Sequence, residues 1–79
     1  MIKNINRVEK VLESAGCKIN SKFKSAIDRC AEEMGDEDWS NGDILMYITD
    51  YAMLGSDKEF SKEFHRQAMQ HALNSTQKQ

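Results

Sequence analysis

DILMYITDYAML, residues Asp43–Leu54, decides how this chain folds. Nine of the eleven residues from Ile44 to Leu54 are apolar or aromatic, and no other stretch is as dense. Ile44, Leu45, Tyr47, Ile48, Tyr51 and Ala52 cover a broad face at helical spacing. Met46 and Met53, seven apart, fall on the opposite side near Thr49 and Asp50. A helix apolar nearly all round is either buried on several sides or docked on a partner. The stretch therefore reads as the third and most buried helix of a small helical domain, and the Met46/Met53 side as its candidate exposed apolar patch.

The chain before it supplies two amphipathic helices. Ile5, Val8, Val11, Leu12 and Ala15 share one face of a helix expected over Asn4–Ala15, with Lys3, Arg7 and Lys10 opposite as a solvated basic stripe. Gly16 is placed to end it in a left-handed conformation. Asn20 or Ser21 caps a second helix, whose stripe is Phe23, Ala26, Ile27, Cys30, Ala31 and Met34, and Gly35 closes it. Cys30 in the middle of that stripe reads as a small core hydrophobe.

Asp36–Gly42, DEDWSNG, follows as an acidic loop without a compensating base. Asp36, Asp38 and Ser40 alternate like the first ligands of an EF-hand. The sixth position is Asn41 where the turn needs Gly, and the twelfth is Tyr47 where a bidentate Glu is needed. Ser40 with Asp43 instead reads as a capping box opening the third helix. Trp39 is expected to fold back onto the helices as a lid. Beyond Gly55, Ser56-Asp57-Lys58-Glu59 has the S-x-x-E pattern of a second capping box. The fourth helix is expected to run to about Leu73, antiparallel to the third, with Phe60, Phe64, Ala68 and a partly buried His71 on one face. Met69 and Leu73 stray to another side, and 74–79, NSTQKQ, reads as a polar, frayed tail.

The expected fold is thus all-α, an up-and-down bundle of four short helices forming a single domain over residues 1–73. Seventy-nine residues without proline and with four glycines suit helix better than sheet. A chain this short has an expected net stability of roughly 3–5 kcal/mol. The longest apolar run is far below the ~18–20 residues that span a bilayer. The opening MIKNINRVEK has no uninterrupted apolar stretch of the kind a secretory leader needs, and two cysteines are too few for a disulfide framework. A cytoplasmic protein with reduced thiols, and no membrane partner, is the expectation.

Charge is unevenly distributed around the net −2. Residues 1–31 carry seven basic and three acidic groups, residues 32–59 one basic and nine acidic, and residues 60–79 three basic and one acidic. No P-loop, GxGxxG, GxSxG or HExxH occurs, so no enzyme, cofactor or catalytic residue is expected. His65 and His71, six apart, point about 120° from each other and do not make a metal pair, so no metal site is assigned. The basic residues of the first two helices could face phosphates weakly. An acidic pI of 5.6 and the lack of a recognition helix argue against nucleic acid.

RVEKVLESAG and FKSAIDRCAEEMGDEDWSNGDILMYITDYA together resemble the YihD-type small bacterial proteins. The shared feature is an acidic loop leading into an Asp-Ile-Leu-x-Tyr helix, here Asp43, Ile44, Leu45 and Tyr47, after a helix ending at Glu33-Met34-Gly35. The resemblance covers about half the chain; loop lengths and the chain end differ. It implies an all-helical cytoplasmic protein and transfers no functional residues. The acidic surface and tyrosine-bearing third helix are also similar to those of the four-helix immunity proteins of nuclease colicins, although Tyr47 and Tyr51 are four apart here instead of adjacent.

The functional expectation is a small interaction module: an inhibitor, adaptor or regulator, bacterial or phage-borne. Its expected surface joins the acidic loop, Trp39 and the exposed methionines and tyrosines of the third helix, with Asp36, Glu37, Asp38, Trp39, Asp43, Met46, Asp50 and Met53 as the partner-binding residues, meeting a basic protein partner such as a nucleic-acid-handling one. The alternatives are nucleic-acid binding through the first two helices, and a homodimer seam at Met46 and Met53.

Overall fold

The computed structural model describes the backbone of residues 2–77 and the side chains of residues 4–74. It is an all-α bundle of four helices: α1 (Ile2–Ser14), α2 (Lys24–Met34), α3 (Asn41–Leu54) and α4 (Lys58–Gln77). A 3-10 turn, Ser21–Phe23, leads into α2. No described helix is long and apolar enough to cross a membrane.

The core assembles from the stripes of the first three helices. Val8, Val11 and Leu12 of α1 meet Ala26, Ile27, Cys30 and Met34 of α2 and Ile44, Ile48 and Ala52 of α3. Phe23 joins α4 to this core: its ring stands edge-on to Phe60 at 5.3 Å, and both are fully buried. Phe60 also contacts Tyr51 at 5.8 Å and Phe64 at 5.6 Å. Such aromatic pairs contribute beyond the apolar area they bury.

The helix ends follow local chemistry, with two shifts from expectation. Asn20 caps the 3-10 turn, its side chain accepting from the Lys22 N–H at 2.9 Å. Ser40 and Asp43 form the expected capping box, which sets the start of α3 at Asn41, two residues before Asp43. Gly55 ends α3 with φ 73°, a left-handed conformation that a side chain would strain. The Ser56–Glu59 box does not form. Asp57 caps α4 instead, its carboxylate accepting from the Phe60 N–H at 3.2 Å. Ser56 and Asp57 are both good caps, and sequence does not rank neighbours. Starting there, the Ser61 hydroxyl donates to the Ala52 carbonyl at 2.7 Å and ties α4 to α3.

α4 is longer than expected. It continues through Asn74 to Gln77, and Lys78 and Gln79 of the expected polar tail lie outside the described residues. Ala68 and His71, expected on its apolar face, are exposed, as is every described side chain from Ala68 to Asn74. The body ends before this helix does: the molecule measures 43 × 24 × 19 Å. Ala15 is exposed as well, because α1 stops at Ser14 and Ala15 sits in the turn.

Candidate functional site

The acidic loop between α2 and α3 is anchored from α1. The Asn4 amide donates to the Gly35 carbonyl at 2.7 Å. Arg7 Nη2 donates to the Trp39 carbonyl at 2.8 Å and to Asn41 Oδ1 at 2.9 Å, and Arg7 Nη1 lies 3.6 Å from Asp38. The loop therefore does have a compensating base. Arg7, expected in a solvated stripe, lies 34 residues from Asn41 in sequence, and no local pattern joins them. Lys10 is exposed, and the side chain of Lys3 lies outside the described residues.

With its carbonyl held by Arg7, Trp39 folds back half-buried onto the start of α3. Its ring lies 5.8 Å from Tyr47, and its indole N–H donates to Glu37 at 3.3 Å. Burial raises the Tyr47 phenol above its ordinary value, with Glu33 adding to the rise and Arg29 opposing it. The phenol is protonated at neutral pH.

The expected surface divides in two. Trp39, Asp43, Met46 and Asp50 come together with Tyr47 around a shallow depression of about 280 Å³. Its floor is aromatic and thioether, and its rim is two carboxylates. Asp36, Glu37 and Asp38 line a different hollow of about 620 Å³, facing Asn4, Arg7 and Lys10. Met53 belongs to neither, although it shares the outer face of α3 with Met46. Met46 is 63% and Met53 73% exposed, and Leu54 is exposed beside them. Tyr47, one of the third-helix tyrosines expected on this surface, also lines the depression.

A second polar cluster escaped the sequence reading. Glu63, only 5% exposed, faces the connection between α1 and α2. Arg66 donates to both its carboxylate oxygens, at 3.0 and 2.8 Å, and Gln67 and Asn20 donate at 2.8 and 2.9 Å. These bonds, Arg66 first, then Gln67 and Asn20, hold the Glu63 carboxyl well below the usual carboxylate range against the opposing effect of burial. Gln67 also brackets the Lys18 backbone, accepting from its N–H at 2.8 Å and donating to its carbonyl at 2.9 Å. The local part, Glu63 with Arg66 and Gln67 at helical spacing, was legible. The part that buries it, Lys18 and Asn20, was not.

The cysteines are free thiols whose burial opposes ionisation: Cys30 is pushed up to about 11, and Cys17 is also raised. Both are protonated at neutral pH and so are poor nucleophiles. His65 is exposed, with Nδ1 2.7 Å from the Ser61 carbonyl oxygen. Among the described residues no group of three or more His, Cys, Asp or Glu is placed to hold a metal ion. No protein-family model, curated protein or solved structure matches this chain.

Proposed function

We propose that this protein is a cytoplasmic protein–protein interaction module, an inhibitor, adaptor or regulator, that binds a basic partner on the outer face of α3. The observation carrying this reading is the depression formed by Trp39, Met46 and Tyr47 under the carboxylates of Asp43 and Asp50. Its chemistry suits an apolar side chain flanked by Lys or Arg. The apolar floor supplies affinity, and the unpaired Asp50 supplies charge selection and salt-dependent steering. A basic segment of a nucleic-acid-handling protein has this character. A phosphate-facing surface on α1 and α2 has less support, because Arg7 is engaged with the loop and Lys24 pairs with Asp28 at 3.3 Å.

Trp39 is the single tryptophan and lines the depression, so its fluorescence reports occupancy. Titration with Lys- and Arg-flanked peptides carrying one Leu or Met anchor is expected to shift its emission, more strongly at low salt. Met46→Ala and Asp50→Asn are each expected to weaken binding by about tenfold. Unchanged affinity in both variants, or equal affinity for acidic peptides, would overturn the reading.

A further inference from the structure

The outer faces of α3 and α4 are complementary to each other. On α3, Asp43, Met46, Asp50 and Met53 recur at steps of three and four, all exposed, with no base among them. On α4, Lys58, Lys62, His65, Met69 and Leu73 recur the same way, all exposed, with no acid among them. Glu59 borders this second stripe only in the first turn of α4, at the end away from Met69 and Leu73. Asp50, Lys58 and Lys62 have no hydrogen-bond or ion-pair partner among the described residues. Met69 and Leu73 are 65% and 50% exposed, on the part of α4 where every described side chain is open.

At a rise of about 1.5 Å per residue, the α4 stripe from Lys58 to Leu73 spans about 22 Å, enough to cover the about 15 Å from Asp43 to Met53. Pairing α3 with α3 would leave Asp43 and Asp50 without a base, and pairing α4 with α4 would leave Lys58 and Lys62 without an acid. Only α3 against α4 joins opposite charges while covering methionine with methionine and leucine.

We infer that the occupant of the α3 face is α4 of a second copy of this chain. Met69 and Leu73 of one copy cover Met46 and the Trp39–Tyr47 depression of the other, and Lys62 lies opposite Asp50. The contact joins two different surfaces, so each copy offers both an acceptor and a donor face. The inference rests on the reading of the α3 face given above and names what fills it.

A charge swap tests it. Sedimentation velocity of the full chain over a range of concentrations is expected to show reversible association, weaker at high salt. Asp50→Lys and Lys62→Glu alter exposed positions, and circular dichroism checks that each variant is folded. Alone, each sets like charges together and is expected to associate at least about tenfold more weakly. Mixed in equal amounts, they are expected to associate again, because the lysine introduced in one variant then meets the glutamate introduced in the other. Wild-type protein that stays monomeric throughout, single variants that associate normally, or a mixture that stays monomeric would each overturn the inference. Peptide binding reported by Trp39 separates the two claims. If it persists in a monomeric protein, only the second-copy assignment fails; if both are lost, the α3 reading fails with it.

Discussion

Two connections in this molecule are held by side chains from a distant helix, and they end with opposite electrostatic character. The α2–α3 loop is held by Arg7 of α1, which bonds mainly to a carbonyl and an amide and leaves the carboxylates around it exposed. The α1–α2 connection is held by Glu63 and Gln67 of α4, where one buried carboxylate is fully matched by donors. An acid-rich segment is thus the open one, and a single acid elsewhere is the buried, hydrogen-bonded one. The number of charges does not separate the two roles; hydrogen-bond satisfaction and burial do.

The comparison breaks most readily on the α4 side. Phe60→Ala removes the ring that meets Phe23 at the end of the 3-10 turn, and is expected to cost about 3–5 kcal/mol in urea unfolding. Such a loss is close to the whole stability expected of a chain this size. An effect no larger than that of a surface substitution would mean that α4 is not joined to the core through Phe23.

Glu63→Gln comes next. The folded carboxyl lies below its ordinary value of about 4.3, so its stabilisation is present above that pH and is lost as pH falls toward the folded value. The wild type is therefore expected to exceed Glu63→Gln in melting temperature at neutral pH. The gap should narrow as pH falls below about 4. A gap constant across acid pH would show that the carboxylate charge is not what matters.

Arg7→Ala is expected to be milder, about 1–2 kcal/mol for two lost hydrogen bonds, with red-shifted Trp39 emission as the loop loosens. Asp38→Asn should leave unfolding unchanged, because the Asp38 side chain is 98% exposed and water screens its 3.6 Å contact with Arg7. Equal losses in the two variants would make the contact an ion pair instead of a loop clamp.

Much of the fold was legible because helical periodicity encodes which faces are apolar. The stripes of α1 and α2, the capping box at Ser40, the glycine ends and the exposed Met46 and Met53 all follow from spacing. Of the site, Trp39, Asp43, Met46 and Asp50 could be grouped in advance because they lie within three turns of one helix start. The far half of α4 misled for the same reason that α3 did not. Its pattern continued through Ala68 to His71, but a pattern states only which side could be covered.

The amino-acid sequence by itself determined the helices, their inward faces and the surplus of apolar surface on α3. Only the tertiary structure decided that Arg7 serves the acidic loop, that Glu63 is buried beneath Asn20, and that α4 outlasts the core beside it. Periodicity and capping act within a few residues, whereas these contacts join positions 31 to 49 apart, and only packing brings such positions together.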